Sequence, residues 1–172
     1  MIKSKRTTIF LLVIGVLTIT NLSAQVKNRN IKNAPNSNGN EIEYKLSSGF
    51  RGGIQGGGLT LKYFLSSNKA VEGILSRDLI NYGTRITALY EIHKPVNNND
   101  KLKWFYGTGI HIGSSATDYF LGIDAIYGLE YKITEISEYP FTIGLDAKPC
   151  FDFINDSGQY IDFAVSIRYI ID

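Results

Sequence analysis

The sequence predicts an all-β protein, an eight-stranded antiparallel up-and-down transmembrane β-barrel. Three observations predict it. Apolar and polar residues alternate in run after run, and a period of two marks an extended strand, whose successive side chains point to opposite faces. Short spacers rich in Gly, Ser, Asn and Asp separate the runs, so consecutive strands pair as hairpins. Bulky apolar and aromatic side chains keep to one register, while most strand glycines and charges keep to the other.

Tyr44–Gly52 is the first run, closed by "GIQGG". Gly58–Leu65 follows, with Leu59, Leu61, Tyr63 and Leu65 opposing Thr60, Lys62 and Phe64. After "SSN" comes Ala70–Arg77, the least regular, in which Gly73 interrupts Val71 and Leu75 and Ile74 shares a face with Glu72. "DLI" leads to Asn81–His93, where Tyr82, Ile86, Tyr90 and Ile92 oppose Gly83, Arg85, Thr87 and Glu91. Beyond "KPVNNND", Lys101–Gly113 sets Trp104, Tyr106, Ile110 and Ile112 against Lys103, Phe105, Gly107, Gly109 and His111. "SSATD" precedes Tyr119–Ile133, whose "LGIDAIYGLEYKI" places Leu121, Ile123, Tyr127, Leu129 and Tyr131 opposite Gly122, Asp124, Gly128 and Glu130. After "TEISE", Pro140–Asp152 alternates Phe141, Ile143 and Leu145 with Thr142, Gly144, Asp146 and Lys148. "INDSG" leads to Gln159–Ile171, in which Ile161, Phe163, Val165, Ile167 and Tyr169 oppose Asp162, Ala164, Ser166 and Arg168. Eight strands suffice to close a barrel and leave no open edge. A single cysteine, Cys150, excludes an intramolecular disulfide framework, so the strands themselves must hold the fold.

Upstream of the barrel domain, assigned to residues 41–172, the chain divides in two. Residues 1–24 read as a secretory signal peptide: Lys3, Lys5 and Arg6, then "TTIFLLVIGVLTIT", then a small-residue cleavage site ending at Ala24. The apolar stretch Ile9–Ile19 is too short for the roughly 20 residues of a spanning helix. Residues 25–40, "QVKNRNIKNAPNSNGN", form a flexible asparagine-rich leader without a core of its own. Cleavage removes three of the 18 basic residues and none of the 16 acidic ones, leaving 15 against 16. A mature chain so close to neutral offers no basic footprint for nucleic acid.

Alternation alone leaves open which face looks inward. An eight-stranded interior is just wide enough to be filled by side chains, and the glycine-bearing register fits it better than the bulky one. Gly83, Gly107, Gly109, Gly122, Gly128 and Gly144 all fall on the charged register, where they make room for long partners. The aromatics are sorted along the strands: Tyr44, Tyr63, Tyr90, Trp104, Tyr131, Phe141 and Tyr169 reach one rim, and Phe50, Tyr82, Tyr119 and Phe151 the other. Two aromatic girdles on an apolar outer face are the pattern of a membrane barrel.

"WFYGTGIHIG" (104–113), "GIDAIYGLEYKI" (122–133), "PFTIGLDAKP" (140–149) and the closing "VSIRY" (165–169) resemble the uncharacterised outer-membrane β-barrel proteins of the Bacteroidetes type, within the wider group of small eight-stranded outer-membrane proteins. The resemblance covers the second half of the domain and implies a location in the outer membrane of a Gram-negative bacterium. It carries no catalytic residues with it. Such barrels end in a strand recognised by the insertion machinery. Asp162, Ala164, Ile167 and Tyr169 fit the spacing of that signal, with Ile170, Ile171 and Asp172 overhanging it.

The expected interior is a network of paired charges filling a closed lumen: Lys62, Glu72, Arg85, Glu91, Asp124, Glu130, Asp146, Lys148, Asp162 and Arg168. Buried charges are tolerated when paired, and a lumen this narrow does not conduct as an open pore. The reading is a structural or envelope-associated monomer without catalysis or cofactor, whose partners are outer-membrane lipid and the insertion machinery. Two alternatives stand beside it. One is a membrane-embedded lipid hydrolase using His111 with Ser114 or Ser115 and a carboxylate from Asp118 or Asp78; the other is a secreted soluble barrel around an apolar ligand. His93 lies at the opposite end from His111, so the two histidines form no metal site. The short loops "GIQGG", "DLI", "SSATD" and "INDSG" leave little protein for a receptor surface, with both termini and the longer "KPVNNND" and "TEISE" turns on the periplasmic side.

Overall fold

A computed structural model of the chain describes residues 44–78, 83–97, 99–115, 118–133, 140–154 and 158–171. The expected signal peptide (1–24), the leader (25–40), Tyr82, the side chain of Asp78 and the "TEISE" turn lie outside the described residues. Eight strands form a closed barrel: β1 (Leu46–Gly53), β2 (Gly56–Ser66), β3 (Lys69–Asp78), β4 (Thr84–Val96), β5 (Asn99–Ser114), β6 (Tyr119–Ile133), β7 (Phe141–Ile154) and β8 (Gln159–Ile171). Each strand pairs antiparallel with the next, and β1 closes on β8 with Leu46 opposite Ile171 and Arg51 opposite Ser166.

The period-two pattern translates directly into burial. In β8, Asp162, Ala164, Ser166, Arg168 and Ile170 are buried while Ile161, Phe163, Val165, Ile167 and Tyr169 are exposed. In β6, buried Phe120, Asp124, Ile126 and Glu130 alternate with outward Leu121, Ile123, Tyr127, Leu129 and Tyr131. The apolar register faces out all round the barrel, and the polar one faces in. A soluble barrel around an apolar ligand requires the reverse orientation.

Strands run further than the sequence suggested at several places: β2, for one, begins at Gly56, inside "GIQGG". "KPVNNND" is no long turn: β4 continues to Val96 and β5 begins at Asn99, with a register shift after Pro95. The chain reverses through Asn97 at φ 51°, a left-handed conformation that asparagine tolerates well. Pro95 lies in a strand only at this irregular end, where a missing N–H is least costly. β7 likewise continues past Asp152 to Ile154, adding outward Phe153.

Tyr44 is a correction to the rim assignment. It is buried, not on the outer face. The ladder still reaches Lys45, whose carbonyl accepts from Phe64 N at 2.8 Å, but a bend at Lys45 breaks the alternation. Tyr44 therefore falls inward and packs edge-on against Phe64, beside Ala70 and Ile170. Tyr63, Tyr90, Tyr131 and Tyr169 are exposed on the outer face at that rim, and Trp104 and Phe141 are half-buried there. Phe50 and Tyr119 are exposed toward the other rim. Ile170, in the expected C-terminal overhang, helps fill the lumen mouth, and its N–H donates to the Pro140 carbonyl at 3.1 Å.

Glycine on the inner register makes room for large neighbours. A Cβ at Gly128 would run into the Phe105 ring and one at Gly122 into the His111 ring, whereas a Cβ at outward Gly73 would meet nothing within 4 Å. Gly128→Val is therefore expected to destabilise the barrel by about 1–3 kcal/mol through overpacking. Gly73→Val should be neutral or slightly stabilising, and urea unfolding of the two variants against the parent reads the difference.

Candidate functional site

The interior holds the chain's concentration of reactive groups. Five cations (Arg51, Lys62, Arg85, Lys148, Arg168) and six carboxylates (Glu72, Glu91, Asp124, Glu130, Asp146, Asp162) are buried with His93 and His111. They form linked clusters because strands distant in sequence face each other across a narrow lumen.

The first cluster lies toward the end that carries the termini. Lys62 Nζ is 2.8 Å from Glu91 Oε2, 3.2 Å from Glu130 Oε2 and 3.4 Å from Glu72 Oε2. Arg168 donates from Nη2 to Glu72 Oε1 at 2.6 Å and from Nη1 to Glu130 Oε2 at 3.0 Å. Thr60 accepts from Arg168 Nε at 3.3 Å and donates its hydroxyl to Glu72. The Tyr44 hydroxyl donates to Glu130 Oε1 at 2.8 Å. His93 Nε2 meets Glu91 Oε2 at 2.9 Å, and its ring is stacked on Phe105 and tilted against Phe64. The ammonium of Lys62 also lies 4.4 Å from the Phe105 ring centroid. Cations and carboxylates thus share neighbours, the arrangement that compensates desolvated charge best.

Further along β3 and β4 the lining turns apolar, with Ile74, Leu89, Phe105 and Ile126 in one buried cluster. Beyond it, Arg51 grips two acids, Asp146 Oδ1 at 2.5 Å and Asp162 Oδ2 at 2.8 Å. Toward the hairpin end, His111 places Nδ1 3.0 Å from Asp124 and Nε2 2.7 Å from Asp152. Lys148 lies 3.5 Å from Asp124 and donates to Cys150 Sγ at 3.2 Å, so the buried cysteine is packed within the network. Arg85 stacks its guanidinium over Phe120 and Tyr160, at 4.9 and 5.0 Å from the ring centroids. The cleft among Arg51, Ser76, Arg85, Thr87, Lys148 and Asp162 has room for about one water molecule.

All ten charges expected in the lumen are buried, and ion pairs join nine of them to a named partner: Lys62, Glu72, Glu91, Asp124, Glu130, Asp146, Lys148, Asp162 and Arg168. Sequence reasoning missed Arg51, the hub of the second cluster. Its signal was the opposition to Leu46 and Phe50, obscured by the glycines and serines of "LSSGFRGG". Tyr44 and His93 were missed as interior partners because one lies just outside a strand and the other was placed beside a turn.

Among the described residues, the expected pairing of His111 with Ser115 is not assembled. The imidazole of His111 faces Asp124 and Asp152. Ser115 spends its hydroxyl on a local turn, donating to the Asp118 carbonyl and accepting from Asp118 N–H at 3.1 Å. Nucleophilic catalysis needs the serine hydroxyl within reach of the base. Among the described residues, no group of three or more His, Cys, Asp or Glu side chains is arranged to hold a metal ion.

No protein-family model matches the chain, and no curated protein matches its sequence. Among solved structures it is similar to the N-terminal β-barrel domain of Pseudomonas aeruginosa OprF, with a TM-score of 0.57 at 12% identity over 73% of this chain and 96% of that one. At that identity the likeness speaks for the fold alone.

Arg168 bridges Glu72 and Glu130, so Arg168→Met should leave two buried carboxylates short of a partner and cost about 3–5 kcal/mol. Adding Glu72→Gln to it should recover a large part of that loss. Urea unfolding of the single and double variants checks both.

Proposed function

We propose that this chain is an integral outer-membrane protein of a Gram-negative bacterium, a closed barrel that serves the envelope structurally rather than by catalysis or transport. The observation that carries the reading is the orientation of the two faces. Among the described residues, 29 large apolar or aromatic side chains are exposed, including Leu59 and Leu61 on β2 and Val165 and Ile167 on β8, while eleven charged ones are buried inside. A water-soluble monomer rarely exposes an apolar patch beyond a few hundred Å², and a continuous apolar belt is what lipid requires. Closure of the sheet pairs every strand edge, the second condition for crossing hydrocarbon.

Other features support the same reading. The amino-terminal pattern of a secretory signal supplies a route out of the cytoplasm, and the likeness to the OprF barrel domain is to a fold of outer-membrane type. The Asp162, Ala164, Ile167 and Tyr169 pattern of β8 supports the barrel-insertion machinery as an assembly partner. In the lumen, ionic clusters and the Ile74–Leu89–Ile126 layer fill the cross-section, which supports a plugged interior and a monomeric structural role. The resemblance to barrels of the Bacteroidetes type agrees with this assignment.

The protein extracted in mild detergent from an outer-membrane fraction is expected to migrate differently on SDS gels before and after boiling. Recovery in the soluble periplasm, with no such shift, would contradict the proposal. A second expectation concerns the mid-barrel outer face. Ile110→Arg should cost about 2–4 kcal/mol in lipid, as arginine does at a bilayer midplane. The same exposed position in a water-soluble barrel would change stability by only about 0.5 kcal/mol. Urea titration of vesicle-inserted protein distinguishes the two.

A further inference from the structure

Among the side chains described in the strands, the outer face carries three charges, Lys69, Lys94 and Arg77, all cationic and all near strand ends. Lys69 and Lys94 share the rim that carries the termini, and their surroundings differ from a solvated surface. Lys69 pairs with Ile92, two residues before Lys94, so the two lysines are diagonal neighbours on the outward side of β3 and β4. Lys94 stands directly across from Trp104 on β5. Its ammonium lies 5.4 Å from the Trp104 ring centroid and 5.8 Å from that of Tyr106. Trp104 is in turn stacked on Tyr106 at 5.3 Å and tilted against Tyr127 at 6.0 Å.

From this constellation we propose that Lys69, Lys94, Trp104 and Tyr106 form a headgroup site for an anionic glycerophospholipid in the leaflet on the termini side. This rests on the membrane reading above. The rings hold the Lys94 ammonium by cation–π attraction, yet their π faces accept no conventional hydrogen bond, so its three N–H donors remain available to phosphate oxygens. Lys69 supplies a second positive charge to the same place. The aromatic trio offers an apolar surface to the first acyl carbons, and tryptophan and tyrosine belong at headgroup depth. Charge selects the occupant. Two cations with no described carboxylate on the outward side of the strands favour a lipid of net negative charge over a zwitterionic one.

Trp104 is the only tryptophan of the chain, which makes the site its own reporter. The full barrel is inserted into phosphatidylcholine vesicles containing a fixed fraction of chain-brominated phosphatidylglycerol or, in parallel, chain-brominated phosphatidylcholine. Bromine quenches a neighbouring indole. At low salt the phosphatidylglycerol quencher is expected to act as though enriched around Trp104 by roughly fivefold or more over its bulk fraction, on the order of what one lysine near an anionic surface contributes. The enrichment should shrink at high salt and fall toward unity in a Lys69→Gln/Lys94→Gln variant that still shows the heat-dependent gel shift. Equal quenching by the two lipids in the inserted wild-type barrel overturns the headgroup site and leaves the membrane reading standing. Absence of quenching by either lipid overturns both.

Discussion

Everything in this barrel depends on charge neutralisation inside a lumen too narrow for bulk water. Among the described residues, eleven charged side chains are taken out of solvent there, and each would be costly alone. They are tolerated because sequence-distant strands bring opposite signs into hydrogen-bond range. Lys62 on β2 answers to carboxylates on β3, β4 and β6, and Arg168 on β8 to two of the same three. Such a network contributes little net stability over an apolar filling of the same volume. What it contributes here is register. A slip of one residue in any strand would turn its charges to the outer face and its leucines and tyrosines into the lumen.

The same constraint explains the outer face. With the polar groups committed inward, the outward register is free to be apolar, and lipid is the surrounding in which such a face is stable. The few outward cations then lie at strand ends, as many of the outward aromatic side chains do. The interior and exterior are thus two consequences of one alternation, and a plugged lumen follows from filling the inside with long side chains and phenyl rings such as Phe64, Phe105 and Phe120.

Much of this was legible in the sequence because a period of two is a local property. The span of β6 and that of β8 coincide with the observed strands, and the inward set read from alternation is the buried set. Legibility failed where alternation was broken or hidden. Arg51 lies among small residues that give no apolar counterpoint. Tyr44 turns inward through a bend that no periodicity announces. "KPVNNND" has the composition of a loop, yet barrel pairing extends β4 to Val96 and β5 back to Asn99. Partner choice across the lumen was beyond the sequence altogether. That Lys62 on β2 answers to Glu130 on β6 depends on which strands face one another once the sheet has closed.

The central claim is that the apolar face meets lipid. Site-directed spin labelling along β6 tests it most directly, with the buried Cys150 first replaced by alanine. Labels placed singly at Leu121, Ile123, Ala125, Tyr127, Leu129 and Tyr131 of the vesicle-inserted protein should collide strongly with oxygen and weakly with a polar nickel complex. The contrast should be greatest in the middle of the strand and fade toward both rims. Uniform access of the nickel complex along the whole strand would mean that water covers this face, and would contradict the account.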